Sequence, residues 1–327
     1  MLYDNHGRPI TYLRLSVTDR CNLRCVYCMP AHGIELIPKD EILSFEEMER
    51  LLSLLCDMGI TKVRITGGEP FVRKDLITFL WRIHHLPKEL HLTTNGLWSA
   101  QYVPELKAMG VKGVNLSLDT LDRERFHRIT RRDELHLVMQ TFHALLNAEI
   151  PIKLNAVVMN GLNDIDIVPL AELTKDLAID VRYIEEMPFN GEGISEPVLV
   201  WDYKKILSVL KAHYPDLQKL DDAPHATAME YKIPGYKGTV GIIAAFSRTF
   251  CGTCNRIRVT ASGMLKTCLY DDGVLNIKTL MRRGASDDDL RTALLEAFNN
   301  RPKNGFEAEA RRKNHTPVSE SMSTIGG

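Results

Sequence analysis

At 327 residues the chain has room for about two domains of roughly 150 residues, or for one large barrel with an appendage. Its 44% apolar and 25% charged residues are ordinary for a globular protein and exclude disordered, collagen-like and coiled-coil readings. Lys and Arg number 41 against 42 Asp and Glu, a formal charge of −1, so any anion site has to be a local cluster and a nonspecific nucleic-acid binder is excluded. No apolar run approaches a membrane span and the first residues lack a secretion pattern, which predicts a cytoplasmic protein with no membrane or nucleic-acid partner.

From residue 11 to about 187, strand-like runs alternate with helix-like runs. Strands are expected over Tyr12–Val17, Lys62–Thr66, Leu90–Thr94, Gly113–Leu118, Ile152–Val158 and Asp180–Glu186. Ser44-Phe45-Glu46-Glu47 reads as a capping box opening a helix with Met48, Leu51, Leu52 and Leu55 on one face. Further helices are expected over Leu76–His84, Val103–Met109, Leu135–Ala148 and Ile167–Leu177. Six βα units are too few for a closed eight-stranded barrel, which leaves an incomplete barrel or an open doubly wound sheet. The texture changes near Gly191: a Gly/Pro-containing stretch, a helix over Tyr203–His213, then hairpins around Gly235–Gly241 and Gly263. This divides the chain into a βα domain over 1–190 and a smaller one over 191–327, whose polar end beyond Arg301 has the composition of a frayed terminus.

Six of the seven cysteines fall in two bunches, not in the spread of a disulfide frame, which points to metal or redox chemistry in a reducing compartment. Cys21, Cys25 and Cys28 form CxxxCxxC just after the first strand, where an irregular loop can curl three thiolates around one centre. A structural zinc would want a fourth ligand, for which only His32 is near. A 4Fe-4S cluster on three cysteines instead leaves one iron open to a ligand. Cys251, Cys254 and Cys268 form CxxC followed by thirteen residues and a third cysteine, again three ligands; zinc completed by His225 is the alternative to a second 4Fe-4S cluster. Cys56, on the apolar face of the first helix, reads as a core thiol.

Strand alternation adds a second feature. Arg14 and Ser16 share a face, as do Lys62, Arg64 and Thr66, Lys153 and Asn155, and Arg256 and Arg258, while the opposite faces are apolar. Helices covering the outside of a barrel take the apolar faces and send these cations inward. Gathering like charges there is costly unless an anion answers them, so a polyanionic substrate is expected inside. No Walker A or GxGxxG pattern is present, so its phosphates would not be held by a glycine-rich loop.

The CxxxCxxC loop followed by Thr66-Gly67-Gly68-Glu69-Pro70 resembles the radical S-adenosylmethionine (SAM) superfamily, with its GGEP motif. Glycine there reads as backbone brought close to the ligand. Together with CxxCx13C, residues 13–21, 64–70, 92–96 and 115–119, and the closing Gly326-Gly327, the chain resembles the GTP 3′,8-cyclases of molybdenum cofactor biosynthesis, the MoaA family. The resemblance implies an incomplete (βα)6 TIM-like radical SAM barrel with a small C-terminal α+β iron-sulfur domain. It implies that Cys21, Cys25 and Cys28 hold the SAM cluster, that Tyr27, Gly68, Ser117 and Met187 line the SAM site, and that Cys251, Cys254 and Cys268 hold a second 4Fe-4S cluster. It implies GTP contacts from Arg14, Lys62, Arg64, Thr93, Lys153, Arg256, Ile257 and Arg258, with Arg14, Gly326 and Gly327 serving catalysis. Partners implied are GTP, an external one-electron reductant and a downstream cyclic pyranopterin monophosphate synthase, for a monomer or homodimer. The rivals are a peptide-modifying radical SAM protein, which needs no inward phosphate-binding cations, and a noncatalytic iron-sulfur carrier or zinc-stabilised binder, which has no use for GGEP.

Overall fold

The computed structural model describes residues 2–190, 199–312 and 320–326. Strands β1 (Tyr12–Ser16), β2 (Lys62–Thr66), β3 (Glu89–Thr94), β4 (Gly113–Ser117), β5 (Ile152–Val158) and β6 (Asp180–Glu185) pair in chain order, all parallel. Between them run α1 (Phe45–Met58), α2 (Leu76–Ile83), α3 (Val103–Ala108), α4 (Arg123–Thr130), α5 (Leu135–Asn147) and α6 (Ile167–Asp176). The capping box is present: Ser44 accepts from the Glu47 amide while the Glu47 carboxylate accepts from the Ser44 amide. Helix α4 was not expected. Phe126 and Ile129 are its only large apolar residues, too few to show a period, and the Asp122 cap accepting from the Arg125 amide marks where it begins.

The C-terminal part adds α7 (Tyr203–His213), β7 (Gln218–Lys219), β8 (Ala228–Lys232), β9 (Thr239–Ile243), β10 (Arg256–Val259), β11 (Met264–Lys266) and β12 (Leu275–Asn276), then α8 (Ile277–Arg282), α9 (Asp287–Asn299), α10 (Gly305–Ala310) and α11 (Met322–Ile325). Its strands join both edges of the βα sheet. Strand β9 lies parallel beside β6 and β10 parallel beside β1, so among the described residues eight neighbouring strands run parallel, and antiparallel pairs flank them. The open side is thus narrowed by the same sheet, and the hairpins expected near Gly235 and Gly263 become its margins. Among the described residues beyond Arg301, where composition suggested fraying, helices α10 and α11 form; residues 313–319 lie outside the described residues.

The core lies between the outer face of the sheet and the helices. In β5, Leu154, Ala156 and Val158 are buried under helices, while Lys153, Asn155 and Val157 are half-buried on the inner face. Cys56 sits at the flank of this core, half-buried, and not within it. No helix among the described residues is long and apolar enough to cross a membrane.

Candidate active site

The first cysteine loop leaves β1 and is held on three sides. Gly68 donates its amide to the Thr18 carbonyl at 2.7 Å and Glu69 to that of Arg20 at 2.8 Å, so the two turns after β1 and β2 run pinned together. A Cβ on Gly68 would lie 2.4 Å from the Arg20 carbonyl oxygen. Glycine is therefore required by packing against the cysteine loop itself, not by the approach of a ligand. Farther along, Arg24 and Val26 donate to the carbonyls of Thr130 and Ile129 in α4, and Arg131 donates to the Arg24 and Met29 carbonyls. Glu69 is buried and accepts from the Phe71 and Asn95 amides and from Thr94 Oγ1, which fixes the end of β3; burial lifts its carboxyl to about 7 against those bonds.

Cys21, Cys25 and Cys28 open onto one cavity at the C-terminal ends of the strands, and Tyr27, Gly68, Ser117 and Met187 line the same cavity. All seven cysteines are free thiols. Burial raises Cys21 to about 11, with Glu69 adding to it, and drives Cys25 and Cys28 upward, each reinforced by a neighbouring cysteine. Three thiols that resist ionisation, Cys25 buried and the other two half-buried, loosely bonded and facing a cavity, are what a cationic metal centre converts to thiolates. The donor set fits an iron-sulfur cluster. Among the described residues no three His, Cys, Asp or Glu side chains gather tightly enough for a single metal ion.

Below this cavity the inner face of the sheet becomes basic. Register sets Tyr12 beside Lys62 and Arg256, Arg14 beside Arg64 and Arg258, and Arg64 beside His91. Arg64 is buried and donates to Tyr12 Oη at 2.6 Å and to the Leu92 carbonyl at 2.7 Å. Four groups register the same field. Burial and then Arg258 pull Arg14 far below its ordinary range; burial and then Arg256 bring Arg258 down to about 10. Burial and then Arg64 take His91 to about 4. Burial would raise the Tyr12 phenol, yet Arg64, Arg14 and Lys62 outweigh it and draw the group down to about 8. A phenol moving against its own burial shows that positive potential, and not desolvation alone, dominates here. Lys62 and Lys153, by contrast, are paired with Glu89 at 3.0 Å and Asp180 at 2.8 Å.

The inner face also carries unanswered polarity. Buried polar atoms of Thr66, Thr93, Asn115, Asn155, Arg182 and Arg256 have no partner among the described residues. Such atoms are costly unless a ligand meets them.

Cys251 and Cys254 precede β10 and Cys268 follows β11, which places this trio at the N-terminal end of the parallel strands, opposite the first. Arg256 and Arg258 lie between. The C-terminal segment enters from the other side: Ser321 donates to the Cys28 carbonyl at 2.7 Å, Met322 and Ser323 line the cavity, and Arg258 Nη1 donates to the Gly326 carbonyl. Gly326 has φ +79°, and a Cβ there would fall 2.7 Å from Thr66 Oγ1, so this position in the channel admits glycine alone without displacement. Gly327 lies outside the described residues.

A family model described as the Radical SAM superfamily matches residues 15–174, and one described as Molybdenum Cofactor Synthesis C matches residues 179–307. A GTP 3′,8-cyclase of Heliobacterium modesticaldum is 44% identical over 308 residues, 92% of this chain and 93% of the relative. The chain belongs to the GTP 3′,8-cyclase family of radical SAM proteins. Molybdenum cofactor biosynthesis protein 1 of Mus musculus is 42% identical over 292 residues, 88% of this chain but 46% of the relative, so the chain spans about half the length of such animal relatives. The fold is shared with Streptococcus suis SuiB bound to S-adenosylmethionine, at a TM-score of 0.63 and 16% identity over 94% of this chain and 69% of that one. Family membership implies a 4Fe-4S cluster and SAM, and the loop and cavity described above fit both.

Within this family frame, one expectation changes and two residues are added. Ile257 was expected to contact the nucleotide, but alternation turns its side chain away from Arg256 and Arg258 into the core, 1% exposed, so only its backbone faces the channel. Arg182 was missed. It faces inward beside Asn155, donating to Glu230 at 2.6 Å, and the alternation rule applied to β6 as it was to β1, β2 and β5 would have found it. Asp119 was missed as well: it lines the SAM-side cavity, accepts from Tyr27 Oη at 3.0 Å and from the Val157 amide at 2.8 Å, and burial lifts its carboxyl to about 7.

Proposed function

We propose that this chain cyclises GTP to 3′,8-cyclo-7,8-dihydro-GTP, the first step towards the pterin of molybdenum cofactor, with two 4Fe-4S clusters at the two ends of one channel. The observation that carries the reading is the run of inward cations between the two cysteine trios, whose shared positive field calls for a polyanion. Arg14, Arg64, Arg256 and Arg258 hold the triphosphate; guanidinium forks suit its oxygens. Arg182, Lys153 and Lys62 extend the same face, the last two exchanging a carboxylate partner for the nucleotide. Cys251, Cys254 and Cys268 present the second cluster to the guanine end, and Thr93 lies between the SAM cavity and the cations.

When bound, SAM and the first cluster supply the 5′-deoxyadenosyl radical that takes hydrogen from the ribose 3′ carbon. The chain's own share is to fix that hydrogen against the cavity, with Tyr27, Gly68, Ser117 and Met187 shaping the SAM side. Arg14 and Gly326 act from the middle of the channel, where the Gly326 carbonyl is held by Arg258 and closes the space against water; Gly327, outside the described residues, serves catalysis with them in this reading. An external reductant provides the electrons, and a cyclic pyranopterin monophosphate synthase consumes the product. The protein works in the cytoplasm as a monomer or homodimer.

The test is an anaerobic incubation of iron-sulfur-reconstituted, reduced protein with SAM, with and without GTP, scored by mass spectrometry. Joint appearance of 5′-deoxyadenosine and an isomer of GTP, dependent on GTP, is the expected result. Deoxyadenosine with GTP left intact would sink the substrate assignment.

A further inference from the structure

Beneath the second cysteine loop, the N-terminal hairpin meets the segment that follows α9. Tyr3 bridges Pro9 and folds Asp4 and Arg8 inward. The Asp4 carboxylate accepts from Arg8 Nε at 2.7 Å and from Arg301 Nη1 at 3.2 Å; both arginines are buried, Arg301 to 2% exposure. The remaining donors of Arg301 go to the cysteine loops, while Arg8 divides its own between the Cys251 carbonyl at 3.1 Å and the carbonyls of Pro302 at 2.8 Å and Lys303 at 2.6 Å. Arg301 donates to the carbonyls of Cys254 at 2.9 Å, Arg256 at 2.6 Å and Thr267, the residue before Cys268, at 2.9 Å. Arg301 Nη2 also lies 3.2 Å from Cys254 Sγ.

Each cysteine of the trio is therefore braced, at its own carbonyl or its neighbour's, by one of two guanidiniums that share a single carboxylate. The Cys251–Thr253 turn is three residues long and cannot hold this arrangement by itself. Two buried cations against one anion leave an excess positive charge, and one fork points it at a ligand sulfur. An excess buried charge is tolerated where an anionic partner answers it.

We propose that Arg301, keyed by Asp4 and Arg8, is the positioning residue of the second cysteine trio: it presets the three cysteines for a 4Fe-4S cluster and raises that cluster's reduction potential through its N–H bond to Cys254 Sγ. The inference rests on the two-cluster reading above. Adding one electron to a thiolate-held cluster makes its sulfurs more negative without breaking a bond, so a cationic donor at sulfur favours the reduced form.

The experiment uses the full chain with Cys21, Cys25 and Cys28 all changed to Ser, so that only the second trio remains, reconstituted anaerobically with iron and sulfide. Iron content, chelator-driven iron loss and an EPR-monitored potentiometric titration are measured for this parent and for Arg301→Gln and Arg301→Lys. The parent is expected to bind about four irons per chain. Arg301→Gln should titrate at a more negative midpoint and lose iron severalfold faster, with Arg301→Lys, which keeps the charge and loses the fork, lying between. A parent that binds no iron overturns the two-cluster reading and this inference with it, before any arginine is changed. A parent that binds iron while both variants keep its potential overturns the inference alone. Should Arg301→Gln lose its helical circular dichroism, Arg301→Lys decides the matter by the same potential.

Discussion

The two cysteine trios have the same count, and they differ in the arginines that only the second has beside a ligand sulfur. Around the first, acids prevail: Glu69 adds to the burial that raises Cys21 to about 11, and Asp119 adds to what burial and the neighbouring cysteines do to Cys25. Around the second, the environment is split: burial lifts Cys268 to about 12 with Asp271 adding to it, whereas Cys254 falls to about 6 although burial opposes it, because Arg256 and Arg301 outweigh the burial. The contrast tracks the ligands of the proposed reaction. SAM brings a sulfonium and an ammonium to the acidic end, while a nucleoside triphosphate brings its charge to the basic middle and far end. Sequence spacing made the trios look like repeats; their neighbours make them different instruments.

The comparison can be broken most directly at the cysteines. Cys25→Ser is expected to abolish both SAM cleavage and cyclisation, whereas Cys254→Ser should abolish cyclisation and leave deoxyadenosine formation measurable. Each should halve the iron bound, from about eight to about four per chain. Equal loss of SAM cleavage in both would erase the division of labour. The next largest effect is expected at Arg258, which the proposed function sets against the triphosphate. Arg258→Ala removes one charge-assisted contact of about 1.5–3 kcal/mol, raising the KM for GTP roughly ten- to a hundredfold while SAM binding, by isothermal calorimetry, stays put. An unchanged KM would move the triphosphate elsewhere.

Arg258 also marks how far the chain could be read unaided. The six βα strands were legible because each alternates sharply, and β2 and β5 were bounded to the residue. The inward cations followed from the same period once helices were assigned to the outside. What alternation could not supply was pairing across long separation. That β10 docks on β1, some 240 residues earlier, and β9 on β6 depends on which sheet edges stay open, a property of the whole assembly. The ion pairs of Lys62 and Lys153 escaped notice for a related reason, since Glu89 and Asp180 are neighbours only through the register. The brace of Asp4, Arg8 and Arg301 joins the two ends of the chain and leaves no local period at all.

His91 offers a weaker but cleaner probe of the channel field, because it faces Arg64 without being a cluster ligand. Its Nε2 donates to Glu89 at 3.0 Å, and the folded protein holds its pKa near 4 against an ordinary 6.5. The unfolded chain thus takes up a proton as pH falls through about 6.5, while the folded chain does so only near 4. Stability is expected to fall across that window by about 3 kcal/mol and to be unaffected by His91 above it. In His91→Gln, the slope of urea-unfolding free energy against pH should flatten between those limits. A slope identical to that of the parent would mean that burial and Arg64 together do not hold His91 neutral in the fold.

The smallest effect belongs to the tail, and it separates packing from charge. Gly326→Ala puts a methyl where Thr66 Oγ1 lies 2.7 Å away, on a residue at φ +79°. Backbone strain costs roughly 1 kcal/mol, and the contact adds to it unless the tail withdraws from Arg258. Withdrawal should lower kcat about tenfold, with little change in melting temperature, since α11 is short and its loss exposes little core. Thr66→Ala removes the colliding oxygen. If steric exclusion is the cause, Gly326→Ala with Thr66→Ala recovers part of kcat, a coupling that two independent sites would not give. If the double variant is as slow as the product of the single effects, the tail is placed by its charge contact with Arg258 and not by the fit of glycine against β2.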